Sequence, residues 1–321
     1  MNEFTGFAAN PIPARPSPES VHRLESAPRM RRGQERSRPR GLDLRINRAI
    51  FASVAAIVPA PKGGSATSVR YADGVRGRLV TGPGADPANG ILLWIHGGAF
   101  VSGTPRLEQL LAAGYAAKAA IPAFLPYYRR PPEHPFPAAA DDVLAAYRAL
   151  LAQGYPAEKI RVGGLSAGGA LTIGLIGDIA RAGLPRPAAV LLASPVIQLS
   201  TELAHQRDAE RPDPMSSPNY IERTNRAYAG DTPLSDPRLD HLGADLRGWP
   251  PVLIQVGDTE CLLAEIDVFA TALRGAGGHC EVQVWPGQVH AFPMLGARKP
   301  LPEADAAIDY GGWFIATAMG T

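Results

Sequence analysis

The spacing of apolar residues changes repeatedly along the chain, and these changes mark out strands and helices. Ile91-Leu92-Leu93-Trp94-Ile95 is an uninterrupted apolar run, the signature of a strand covered on both faces. Further strands are expected at 122–128, 158–163, 188–193, 251–256 and 280–285. Elsewhere apolar residues fall three and four apart, predicting helices near 106–120, 138–153, 167–181, 262–276 and 303–318. Strands alternating with helices build a mostly parallel sheet with helices on both faces, so the expected fold class is α/β. Ahead of this series, 68–71 and 75–80 read as an antiparallel pair turning at Asp73-Gly74.

Three stretches depart from the alternation. Residues 198–248 are polar and Pro-rich, with a modest helical stretch at 217–229, and read as an inserted cap over the carboxyl edge of the sheet. Leu42 to Val58 is helical in pattern: Ile46, Ile50, Val54, Ile57 and Val58 share one face, and Pro59 ends it. That apolar face needs something to cover, and the mouth of a site is a candidate. Residues 1–41 are rich in Pro, Arg, Ser and Glu without apolar periodicity, which predicts a disordered, mobile extension. The expected organisation is that extension followed by one domain over 42–321, with cap elements at about 42–58 and 198–248.

Composition narrows the class of protein. With 45% hydrophobic and 19% charged residues in 321, the chain reads as a globular domain with a substantial core. Net charge is only +2, but residues 1–48 hold ten Arg against five acids, so the basic excess sits at one end. No aromatic residue interleaves the arginines from Arg29 to Arg40 and no long basic face forms, so a solvated basic tail is expected rather than an RNA-binding or membrane-binding arm. No apolar run approaches the roughly 20 residues that span a bilayer, so no membrane insertion is expected. Arg31-Arg32 makes a poor export signal, because Asp43, Arg45 and Arg48 break the segment after it. Cys261 and Cys280 are too few for a disulfide scaffold and read as buried free thiols, consistent with a cytoplasmic protein. His205, His241 and His279 lack ligands at metal-binding spacing, and no metal or cofactor is expected.

The candidate chemistry centres on Gly164-Leu165-Ser166-Ala167-Gly168-Gly169, between a predicted strand and a predicted helix. In such a G-x-S-x-G turn the serine sits on a strained corner with its hydroxyl exposed, and the first helical amide, from Ala167, points at the same spot. The plain alternative is a glycine-rich turn whose serine caps the helix. Strand 91–95 runs into His96-Gly97-Gly98-Ala99-Phe100, a turn slender enough for backbone N–H groups to approach a substrate oxygen. A third block, Tyr128 to Ala138, contains Pro132-Glu133-His134-Pro135-Phe136-Pro137 and is followed by Asp142.

Together these blocks resemble the bacterial hormone-sensitive-lipase-like (family IV) esterases, from about residue 90 to 295. The resemblance implies an α/β-hydrolase fold, hydrolysis of a small-molecule carboxylic ester by a Ser-acid-His triad, and a mobile amino-terminal cap. It assigns Ser166 as nucleophile, His290 as base, and Gly98, Ala99 and Ala167 as oxyanion-hole amides, with Gly97 supporting that loop as part of the same set. The chain departs from the family pattern at Ala99 for a third glycine, at Leu165 for a polar residue and at Arg130-Pro131 for Leu-Ala. For the acid, Gly257-Asp258-Thr259-Glu260-Cys261-Leu262 offers two candidates; alignment on Leu262 favours Glu260 and leaves Asp258 as the alternative. Glu265 and Asp267 are expected as helix-surface charges, and His134 as structural. Phe100, Trp94, Trp249 and Met215 are pocket or core candidates. Competing functions on the same scaffold are a silent binding protein and an amidase or peptidase. A homodimer is compatible with the sequence.

Overall fold

The computed structural model describes residues 11–71, 74–296 and 301–318. Eight strands form one sheet: β1 (Ser65–Arg70), β2 (Arg76–Thr81), β3 (Ile91–Ile95), β4 (Ala123–Pro126), β5 (Ile160–Leu165), β6 (Ala189–Ala193), β7 (Val252–Gly257) and β8 (Cys280–Trp285). Their order is β1-β2-β4-β3-β5-β6-β7-β8. β2 runs antiparallel to both neighbours, and every pairing from β4 to β8 is parallel. Asp73, in the expected hairpin turn, lies outside the described residues.

Alternation along each strand divides the core in two. Leu92 and Trp94 pack with Leu111 and Tyr115 of α3 (Pro105–Ala117) and with Phe314 and Ile315 of α10 (Pro302–Thr317). Ile91, Leu93 and Ile95 face the opposite layer, made by α4 (Ala138–Ala152), α5 (Ala167–Arg181) and α8 (Leu263–Gly275). Both faces of β3 are therefore dry, as its continuous apolar run requires. The strand order reverses beside β3, where β4 lies on one side and β5 on the other. Such a reversal opens a crevice at the carboxyl ends of the strands.

From Pro18 onwards the amino-terminal region differs from the expected mobile extension, whose residues 1–10 lie outside the described residues. Pro18–Arg36 is a helix, α1, followed by α2 (Gly41–Ala56). Ser17 caps α1 by accepting from the Ser20 amide, and Pro18 starts it. The helix is moored by polar contacts across the chain: Ser17 donates its hydroxyl to Glu303 at 2.9 Å, and Arg31 donates to both carboxylate oxygens of Asp208 at 2.7 and 2.8 Å. Gln34 accepts from the Ser217 amide. Because these partners are polar and distant in sequence, α1 carries no apolar period. Two further helices, α6 (Glu202–Glu210) and α7 (Pro218–Ala229), occupy the interval between β6 and β7. A last short turn, α9 (Phe292–Leu295), follows β8.

Glu265 also departs from expectation. It is fully buried rather than on the helix surface, and accepts from the Ile197 amide at 2.7 Å. Burial pushes its pKa up to about 8, against the opposing hydrogen bonds from Ile197 and Gln198. The side chain thereby fixes the segment after β6 that walls the site. Glu265→Ala orphans the Ile197 amide and should lower stability by about 1–3 kcal/mol, read as a lower urea midpoint at unchanged slope.

Candidate active site

Four strands deliver the polar groups of the crevice. β3 leads into His96–Gly103, β5 ends at Ser166, β7 leads to Glu260 and β8 to His290. Ser166 sits at φ 57° and ψ −119°, a backbone region unfavourable for any residue with a Cβ, and α5 starts immediately after it. The turn closes because Gly168 has no Cβ; one there would strike the carbonyl of Ile95. The Ser166 amide donates to Ala193 at 2.9 Å, which ties the corner to β6.

The Ser166 hydroxyl lies 2.9 Å from Nε2 of His290, and Nδ1 of the same ring lies 2.7 Å from Oε2 of Glu260. A carboxylate only accepts, so Nδ1 carries the proton and Nε2 is left to receive the hydroxyl hydrogen. The other oxygen of Glu260 accepts from the Ser194 hydroxyl and the Gly257 amide, both at 2.7 Å. Glu260 is wholly buried, so these donors replace the water that its charge has lost. Burial disfavours protonated His290, but the hydrogen bond to Glu260 and the charges of Glu260 and Asp213 outweigh it, holding the imidazole above its ordinary range.

Across the crevice, Gly98, Ala99 and Phe100 have φ of 115°, 52° and 61°. This left-handed run faces the loop's amides outwards, and Gly98 is the position where a Cβ would strike Ser102 and Gly103. Among the described residues, the amides of Gly98, Ala99 and Ala167 have no backbone or side-chain acceptor. Gly97 departs from the set expected for the oxyanion hole: its amide donates to Oε1 of Glu108 at 2.7 Å and is not free for a ligand.

Residues 92–294 match the family model for the alpha/beta hydrolase fold. A solved esterase of the bacterial hormone-sensitive lipase family superposes with a TM-score of 0.84 at 29% identity, covering 95% of this chain and 99% of that one. The chain belongs to the bacterial hormone-sensitive-lipase-like esterases. This esterase is also 36% identical over 231 residues to an acetyl-hydrolase of Streptomyces hygroscopicus, spanning 71% of this chain and 76% of the relative. It is 32% identical over 252 residues to the esterase LipU of Mycobacterium tuberculosis, spanning 76% and 84%.

Ser166 and His290 open on a cavity of about 510 Å³. Its floor is the crevice and its walls are the cap: Met30 from α1, Ile50 and Phe51 from α2, and Tyr220 and Ile221 from α7. Phe100 and Met215 line it, whereas Trp94 donates to Glu108 and Trp249 packs on Phe269 within the core. Among the described residues no cluster of three or more His, Cys, Asp or Glu could hold a metal.

Three supporting residues escaped the sequence reading. Glu108 accepts from Gly97 and, at 2.7 Å, from the Trp94 indole; its pKa is pushed up to about 7, with burial outweighing those two bonds. Ser194 both donates to Glu260 and accepts from the Ala291 amide. Asp213 is buried and takes the amides of Met215, Ser216 and Cys261. Ser194 stands 66 residues before Glu260 and Asp213 stands 48 before Cys261, Glu108 meets Gly97 only through the fold, and none belongs to a short motif, so no local signal marked them.

Asp258, the alternative acid, points away from His290: it accepts from the Gly287 amide at 2.8 Å and pairs with Arg211 at 3.2 Å. Steady-state kinetics of two variants should separate the carboxylates. Glu260→Ala is expected to lower kcat by about 10³- to 10⁴-fold, and Asp258→Ala by less than about tenfold.

Proposed function

We propose that this esterase hydrolyses short- to medium-chain carboxylic esters, or a lactone, through a covalent acyl-enzyme on Ser166. The observation that carries this reading is the unbroken hydrogen-bonded line from Ser166 through His290 to buried Glu260, opening on a cavity beside three amides with no acceptor. The Streptomyces relative's name, acetyl-hydrolase, supports a small acyl group. The cap-lined cavity, enclosed by largely apolar side chains, supports an uncharged ester rather than an ionic one.

In the first half-reaction, His290 Nε2 takes the hydroxyl proton as Ser166 Oγ attacks the ester carbonyl. The carbonyl oxygen becomes an oxyanion facing the amides of Gly98, Ala99 and Ala167. They are already oriented, and the amino end of α5 lies behind the last of them, so little reorganisation is needed as charge develops. Collapse of the tetrahedral adduct expels the alcohol, which receives its proton from His290. Water then attacks the acyl-enzyme with the same ring as base, releasing the acid and restoring the serine. Glu260 keeps the ring in the productive tautomer and stabilises the imidazolium formed twice per cycle. Glu108, by accepting the Gly97 amide, positions the loop without touching the ester. The two buried free thiols support a reducing, cytoplasmic setting.

Ser166→Ala should lower turnover of p-nitrophenyl esters by about 10⁴- to 10⁶-fold and abolish covalent labelling by a fluorophosphonate. Labelling that survives the substitution would place the nucleophile elsewhere. The pH profile gives an independent check. A raised imidazole pKa keeps His290 protonated, and useless as a base, to higher pH than a free histidine. The acid limb of kcat/KM should accordingly have its midpoint above about 6.5.

A further inference from the structure

The cap that walls the cavity also presents an unusual outer surface. Of the eight large hydrophobic residues exposed among the described residues, six lie between Val21 and Ile57. On α2 and its carboxyl cap, Leu42, Ile46, Ile50 and Ile57 are 70%, 51%, 57% and 71% exposed. Steps of four, four and seven residues put them along one stripe. The helix buries a different face, through Leu44 and Ala55. The stripe is continuous with the site, because exposed Ile50 and Met30 also line the cavity above Ser166.

The neighbouring surface is strongly basic. Arg29, Arg32, Arg36, Arg38, Arg40 and Arg45 are all exposed, and none forms an ion pair among the described residues. Arg31 and Arg48 are instead committed to anchoring the cap, through Asp208 and Glu133. The exposed acids of the two helices are fewer: Glu19, Glu25 and Glu35 on α1, of which Glu25 lies against His22 and Glu35 pairs with Arg31, and Asp43 on α2, which accepts from the Arg38 amide.

We propose that the outer face of α1 and α2 docks on an anionic lipid–water interface, seating the cavity mouth where apolar esters partition. An apolar stripe beside unpaired arginines matches the two attractions that hold a peripheral helix at such a surface: burial of side chains at the acyl boundary and attraction to anionic headgroups. Charge argues against a second copy of the chain, since a two-fold contact through this face would bring one set of arginines against another. The absence of aromatic residues from the stripe argues against single-stranded nucleic acid, which is gripped by stacking. The use made of the docked state rests on the esterase reading above; the docking itself does not.

The test is co-sedimentation of Ser166→Ala protein, which cannot turn over ester, with phosphatidylcholine vesicles and with vesicles also containing phosphatidylglycerol. Binding to the mixed vesicles, weaker on pure phosphatidylcholine and weakened by added salt, is expected. R32Q/R36Q/R40Q should weaken it on the order of 100-fold. L42S/I46S should weaken it about tenfold or more. In the otherwise unaltered enzyme, both sets should leave hydrolysis of soluble p-nitrophenyl acetate unchanged, which also reports intact folding. Equal binding to both vesicle types, or no binding, would overturn the proposal. So would a solution dimer dissociated by L42S/I46S, which would assign the stripe to self-association. Loss of p-nitrophenyl acetate hydrolysis in S166A is a separate readout of the Ser166 assignment.

Discussion

The contact on which the site depends is the one between Glu260 and His290, because it joins loops from two different strands through a charge with no access to water. A buried carboxylate is costly unless its lone pairs are occupied. Here the ring nitrogen takes one oxygen, while the Ser194 hydroxyl and the Gly257 amide take the other. Ser194 also receives the Ala291 amide, so one hydroxyl ties the Glu260 carboxylate to the residue immediately after His290. The imidazole is thereby held at both ends, and its spare nitrogen can only face Ser166.

The opposite wall is built on a similar economy. Gly98 takes positive φ freely, but Ala99 and Phe100 in left-handed conformations cost backbone energy, and the loop retains them because each side of it is fastened. Glu108 holds the Gly97 amide, Arg48 donates to the Val101 carbonyl at 2.8 Å and Arg130 to that of Gly103 at 2.8 Å. Arg130 occupies a position where the family pattern has leucine, and in this chain it has become part of the loop's support. One wall is carried by the loop after β3 and the other by the loops after β7 and β8, with Ser166 between them.

Much of this was legible in the linear chain, for identifiable reasons. β3 announces itself as an apolar run because both its faces are covered, and β8 falls at the expected 280–285. Ser166, the loop at 96–100 and His290 stand in short motifs whose residue types are dictated by sterics at tight turns. Other features were hidden. α1 is fastened by Arg31, Gln34 and Ser17 to partners far along the chain, so it buries few apolar side chains and shows no helical period. Glu265 and Glu108 look like ordinary helix-surface acids until the fold turns them inwards to meet main-chain amides. In the sequence Glu260 is favoured over Asp258 only by matching Leu262 to the family pattern, because which of two side chains in one tight loop meets His290 depends on how that loop folds.

The origin of the cavity walls has a consequence for how such an enzyme can diversify. Ser166, Glu260 and His290 stand on turns that leave the central sheet after β5, β7 and β8, whereas Met30, Ile50, Phe51, Tyr220 and Ile221 are contributed by helices outside it. Substrate range can therefore drift through exchanges on the cap while the chemistry stays untouched. The scaffold behaves as a fixed tool with a replaceable jaw, and redesign for a bulkier alcohol or acyl group would begin on α2 and α7.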